Sequence, residues 1–132
     1  MTNNEAPGLT HDAALTHRII GLALGVHRTL GPGLLESIYE ECLCSELDRD
    51  GLAYERQKPL PVVFRDLPLE CGYRADIIVA DEVILEIKSV DHLVPLHNAQ
   101  ALTYLRLSGC HVALLINFNT ITLTSGIRRF VR

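Results

Sequence analysis

The stretch Arg74-Ala-Asp-Ile-Ile-Val-Ala-Asp-Glu-Val-Ile-Leu-Glu-Ile-Lys-Ser89 constrains the fold more than any other part of the chain. Two short apolar runs flank an acidic turn, which is the pattern of a β-hairpin. After Asp76 both faces of the first run are apolar, and in the second run the face that carries Glu86 and Lys88 also carries Ile84. Such strands belong inside a sheet covered on both sides rather than on a surface with one wet face. Three charges at one end of covered strands point into a cleft, where an isolated carboxylate is costly unless it is paired or binds a metal. The bland alternative is a half-exposed hairpin whose charges meet water.

Strand periodicity sets a condition on that cleft. Glu86 and Lys88 are two residues apart and share a face, with Ile87 turned to the other. Asp76 joins them only if it lies opposite Glu86, which requires a turn centred on residue 81. A two-residue turn would oppose Asp76 to Ile87 and send the aspartate to the wrong face. The sequence therefore predicts a three-residue turn, Ala80-Asp81-Glu82, or a bulge that restores the parity.

Around the hairpin the periodicity changes twice. Leu15, Ile19, Leu22, Val26 and Leu30 recur at helical spacing up to Gly31-Pro32-Gly33. A second helix is expected over residues 34–50, with Leu35, Ile38, Tyr39, Cys42, Leu43 and Leu47 inward and Glu36 at the edge of the stripe. Residues 54–58 and 60–65 read as one strand or a bent pair, limited by Pro59 and Pro61. A helix over 95–108 is stopped by Gly109, an apolar strand covers 110–118, and residues 127–131 add an edge strand. The expected fold class is α/β, a mixed central sheet flanked by helices. The 132-residue length fits one domain over residues 10–132 behind a flexible stretch at 1–9.

Composition excludes several function classes. The start lacks the basic and apolar regions of a secretory signal, and no apolar run approaches the ~20 residues of a membrane span, so a cytoplasmic location is expected. Cys42 and Cys44 point to different sides of a helix while Cys71 and Cys110 stand alone, so the thiols read as packed and reduced. A net charge of −4 argues against coating nucleic acid through bulk positive charge, although Arg128, Arg129 and Arg132 near the C-terminus could touch phosphate or simply face solvent. Only two lysines accompany ten arginines, and one of the two is Lys88.

Two convergent carboxylates and a lysine suit Mg²⁺ chemistry. This ion prefers oxygen ligands, keeps several waters, and is held by one or two carboxylates plus a substrate phosphate. A lysine beside it can orient water and stabilise charge, which points to phosphodiester hydrolysis.

With this order of elements, the hairpin resembles the core of the PD-(D/E)XK nuclease superfamily, a restriction-endonuclease-like fold. The nearer resemblance is to the GxxExxY family, through Gly33-Leu-Leu-Glu36-Ser-Ile-Tyr39, Tyr73-Arg-Ala-Asp76, Glu86-Ile-Lys88, His97-Asn-Ala-Gln100 and Tyr104-Leu-Arg. The resemblance implies Asp76, Glu86, the Ile87 carbonyl and Glu36 as metal ligands and Lys88 as the catalytic lysine. It implies that Gln100 and Tyr104, which match a Gln-x-x-x-Tyr motif of the RecB-like branch, meet substrate, with Gln100 also in the catalytic set. His97, on the same helix face, and Arg74 join the substrate-binding residues. Other roles stay open: Glu36 as a first-turn glutamate favoured by the helix dipole, Gln100 and Tyr104 as a surface polar pair, Tyr39 as a core residue, and His27 as a partner of the turn that presents Glu36.

The expected activity is that of a Mg²⁺- or Mn²⁺-dependent nuclease acting on nucleic acid, with DNA favoured. The alternative is a non-catalytic nucleic-acid-binding or repair-associated module that keeps the fold. A chain this short suggests a second copy or a protein partner as a grip on a duplex.

Overall fold

A computed structural model describes residues 11–70 and 72–132. The stretch 1–9, expected to be flexible, and Cys71 lie outside the described residues. The elements run α1 (His11–Leu30), α2 (Glu36–Arg49), β1 (Tyr54–Pro59), β2 (Val62–Phe64), β3 (Leu67–Leu69), β4 (Arg74–Val79), β5 (Val83–Lys88), α3 (Pro95–Ser108), β6 (Val112–Asn117), a 3-10 turn at Leu123–Gly126, and β7 (Ile127–Val131).

Five strands form one mixed sheet in the order β1-β4-β5-β6-β7. Among the described strands only β5 and β6 are parallel, and α3 supplies the crossover that a parallel pair needs. On one face, Ile77, Val79, Val83, Leu85, Ile87, Val112, Leu114 and Ile116 pack against α1 and α2. On the other, Ile78, Ile84 and Ala113 pack against Leu105 of α3. The continuous apolar runs in β5 and β6 are thus explained by burial on both faces. No helix among the described residues is long and apolar enough to cross a membrane.

Local signals account for most element ends. Gly109 closes α3 in the left-handed conformation, at φ 73°. Gly31 and Gly33 turn the chain between α1 and α2 with φ of 69° and 97°.

Two expectations need correction. Residues 54–58 and 60–65 are neither one strand nor a bent pair in one sheet: β1 joins the main sheet, whereas β2 begins after Pro61 and pairs with β3 in a separate two-stranded sheet. The turn between them is Arg65-Asp66, with Arg65 at φ 55°. In α2, Leu35 and Ile38 do not face the core but are 73% and 43% exposed. Leu35 is the extended cap residue ahead of the helix, and the buried stripe turns instead through Tyr39, Glu40, Leu43, Cys44 and Leu47. A charged residue in that stripe is satisfied from outside the helix: Arg56 of β1 reaches Glu40 at 2.5 Å.

The β4–β5 turn meets the parity condition. Val79 pairs with Val83, Ile78 with Ile84 and Ile77 with Leu85, which leaves Ala80-Asp81-Glu82 as a three-residue loop centred on residue 81. The Glu82 N–H donates to the Val79 carbonyl at 3.0 Å across two residues of positive φ, Ala80 at 52° and Asp81 at 57°. Positive φ at both central positions is what a type I′ turn demands, and its twist matches that of the flanking strands. An aspartate tolerates this region better than an alanine does. Ala80→Gly is therefore expected to raise stability by about 1 kcal/mol, read as a higher urea or thermal midpoint; an unchanged or lowered midpoint would contradict the account of the turn.

Candidate active site

The register that places Ile77 opposite Leu85 puts Asp76 opposite Glu86 and leaves Asp76, Glu86 and Lys88 on the α3 face, in line with Ile78 and Ile84. The same arithmetic on the other side of β4 puts Gln57 of β1 opposite Asp76, because Arg56 pairs with Ile77 and Lys58 with Ala75. Gln57, Asp76 and Glu86 therefore form one row across three strands.

Along this row the described backbone bridges stop. The β4–β5 bridges end at Ile77–Leu85, and the β1–β4 bridges pass from Arg56 to Lys58 without Gln57. Side chains take over the freed groups. The Asp76 N–H donates to Glu86 Oε2 at 3.3 Å, and the Ile87 N–H donates to Asp76 Oδ2 at 2.8 Å. Each acid is thus clasped by the strand that carries the other.

Burial makes these acids weak. Loss of hydration pushes the Glu86 carboxyl up to about 8, with the neighbouring Asp76 charge adding to the rise and the Asp76 N–H and Lys88 opposing it. Asp76 is also raised by burial; the Ile87 N–H opposes the rise, the Glu40 charge adds to it, and Lys88 and Gln57 oppose it. Lys88 is half-buried and acts on both acids through space, with no direct ion pair to either among the described residues.

Helix α2 contributes more than the sequence suggested. Glu36 is exposed and its Oε2 accepts the Ser89 N–H at 3.3 Å, just past the end of β5. One turn later Glu40 is buried, bound by Arg56 Nε and by Gln57 Nε2 at 3.0 and 3.2 Å. The Gln57 amide also reaches Asp76 Oδ1 at 3.4 Å. Sequence reasoning missed Glu40, although its spacing of four from Glu36 puts both on one side of the helix. It missed Gln57 for want of any local signal.

The side chain that holds the turn ahead of Glu36 is Tyr39; His27 meets the turn through its backbone carbonyl, which accepts the Gly31 N–H at 2.7 Å. The Tyr39 hydroxyl donates to the Gly31 carbonyl at 2.6 Å and accepts the Leu34 N–H at 3.1 Å, while its ring stacks on Phe118 with centroids 4.5 Å apart. The His27 ring pairs through Nε2 with the Thr120 carbonyl at 2.7 Å.

Helix α3 brings the remaining candidates. Tyr104 is half-buried against the cluster that holds Ile78 and Ile84, and its hydroxyl is raised by burial, with the Glu86 charge adding to the rise. Its ring also meets Tyr73 at 6.0 Å. Gln100 is exposed one turn earlier on the same side. His97 has a local task, since its Nδ1 accepts the Val94 N–H at 3.0 Å and caps α3. Arg74 is exposed and donates to the Gln57 carbonyl at 3.4 Å.

The donor set at the row suits a hard divalent cation: two carboxylates, each raised by burial, with oxygen as the only donor atom. Among the described residues no three His, Cys, Asp or Glu side chains gather as a metal cage. Magnesium, held by one or two carboxylates and several waters, needs none.

The family model described as the PD-(D/E)XK nuclease superfamily matches residues 13–130, and the chain belongs to that superfamily. No curated protein and no solved structure matches the chain significantly. Nucleases of this superfamily generally use divalent metals.

The raised acids have a consequence for stability. A carboxyl whose folded pKa is about 8 against an ordinary 4.5 holds its proton more tightly when folded. Its contribution is complete below the ordinary value and is lost as pH rises through about 8. Without divalent cations, the parent should lose stability relative to Glu86→Gln across this window, with a limiting slope of about 1.4 kcal/mol per pH unit. Urea unfolding of both proteins at several pH values measures it; a parent–variant difference that is flat with pH would refute the assignment.

Proposed function

We propose that the chain is a divalent-metal-dependent nuclease that hydrolyses phosphodiester bonds of nucleic acid, with DNA as the favoured substrate. The observation that carries this reading is the row in which Asp76 and Glu86 lie opposite each other, with Lys88 on the same face, at the open end of the β4–β5 ladder. The Gly33-Leu-Leu-Glu36-Ser-Ile-Tyr39 motif supports a finer reading of the chain as a GxxExxY protein.

Asp76, Glu86 and the Ile87 carbonyl would hold Mg²⁺ or Mn²⁺, which when bound supplies an acidified water and neutralises charge on the phosphate. Lys88 presents its ammonium on the face of the two acids, where it donates to the attacking water and to the phosphate oxygens as charge builds on them. Its flexible stem and compact charge suit that task better than an arginine fork would. Glu36, fastened to the Ser89 N–H, stands beside the end of β5 as a further oxygen donor. Gln100 and Tyr104 offer amide and hydroxyl groups to the sugar-phosphate chain from α3, and Arg74 offers a cation to a neighbouring phosphate. His97 serves by capping the helix that carries them.

A second reading is a non-catalytic interaction module acting with a protein partner or a second copy. One observation favours it: the β2–β3 sheet leaves Val63, Phe64 and Leu67 more than half exposed. Large apolar side chains exposed together are a common mark of interaction surfaces.

The assay that separates these readings uses labelled single- and double-stranded DNA and RNA with Mg²⁺, Mn²⁺ or chelator. Cleavage should require the cation, and Lys88→Ala should lower it by about 10²–10³-fold while leaving the unfolding midpoint close to that of the parent. Asp76→Ala should abolish it. Equal cleavage by parent and Lys88→Ala would remove the catalytic assignment, and no cleavage with either cation would favour the interaction module, whose partner binding needs no metal.

A further inference from the structure

We propose that Gln57 is a positioning residue: its side-chain amide fixes the orientation of the Asp76 carboxylate by tying it to Glu40 of α2. The inference rests on the nuclease reading above.

The first observation is strain. Gln57 has φ 53° inside a β-strand, a conformation that non-glycine residues avoid. It also forfeits the bridge to Asp76 that the register offers. Strain of this kind persists only where the surroundings enforce it, and it collects at functional sites.

The second observation is what the distortion achieves. Gln57 Nε2 lies 3.0 and 3.2 Å from the two Glu40 oxygens and 3.4 Å from Asp76 Oδ1. A carboxamide carries two hydrogens on one nitrogen and no charge. It can therefore donate to two carboxylates at once and leave both anionic. A lysine or arginine there would compete with the cation that the acids are proposed to bind, and a glutamate would add a third like charge.

The third observation concerns Asp76. Its Oδ2 takes the Ile87 N–H from β5, and its Oδ1 takes the Gln57 amide from β1. The terminal torsion of an aspartate is broad and soft. One anchor leaves the carboxylate free to swing about that bond, and two anchors on opposite strands do not. The second anchor is firm because Glu40 is buried and bound to Arg56.

Gln57→Gly removes the amide and relieves the strained φ, so it separates positioning from folding. Its unfolding midpoint should equal or exceed the parent's. Its Mn²⁺ dissociation constant, measured by calorimetry on the full chain without nucleic acid, should weaken by about 10-fold or more, and kcat for cleavage should fall with KM little changed. Should the glycine variant fail to fold, Gln57→Asn makes the same comparison, because it tolerates this φ and draws the donor back by one methylene. A folded variant of either kind with parental Mn²⁺ affinity and kcat overturns the proposal. A parent that binds Mn²⁺ without cleaving removes the nuclease reading, while the affinity ratio still decides the role of Gln57; a parent that does not bind Mn²⁺ overturns both.

Discussion

Because side chains alternate along a strand, the three-residue loop between β4 and β5 determines which face of the sheet receives Asp76, Glu86 and Lys88. A slip of one residue in β5 would turn Glu86 and Lys88 toward α1 and α2, where Leu85 and Ile87 now complete the larger core. Burying unpaired charges there would cost several kcal/mol per ion. Holding Ala80 in the left-handed region costs about 1–2 kcal/mol. The second cost is the smaller, which is why the chain accepts an alanine at φ 52° in a turn that a glycine would fill more easily.

The same comparison explains the state of the acids. The sheet could have continued its ladder through Asp76, and it does not. Backbone N–H groups at Asp76 and Ile87 are given to carboxylates, and Gln57 leaves the ladder to serve Glu40 and Asp76. These bonds offset part of the desolvation, yet both acids remain raised, Glu86 to about 8. A site built only for stability would have paired each carboxylate directly, as Glu40 is paired with Arg56. The shortage of positive charge at Asp76 and Glu86 is what a bound divalent cation would complete.

Much of this was legible in the sequence because it rests on local rules. The hairpin parity follows from strand alternation, the end of α3 from Gly109, and the double burial of β6 from an uninterrupted Val-Ala-Leu-Leu-Ile run. What escaped depends on contacts between distant segments. The rotation of α2 turns on Glu40, whose partner Arg56 lies 16 residues away, and His27 finds the Thr120 carbonyl across 93 residues. The departure of β2 is the exception, a local hairpin with β3 in a segment whose prolines and exposed apolar residues hide the alternation of a strand. The left-handed turn at Gln57 has no propensity signal at all, since glutamine does not favour that region.

Helices on opposite faces of a sheet can serve one site only where a strand runs out, and the segment after β5 shows how that is arranged. Ser89 is fastened to α2 and its leading turn, with its N–H on Glu36 and its hydroxyl on the Leu34 carbonyl at 2.6 Å. Val90 is fastened to the end of β6, because the Asn117 side chain accepts its N–H at 3.1 Å and donates to its carbonyl at 2.9 Å. The turn that presents Glu36 is itself pinned by the Tyr39 hydroxyl, and the Tyr39 ring rests on Phe118, one residue past Asn117. Lys88 therefore leaves the sheet on a backbone held from both sides before α3 begins. Glu36 of α2 and the segment that leads from β5 into α3 are tied to the same few residues, so the end of β5 fixes where both stand.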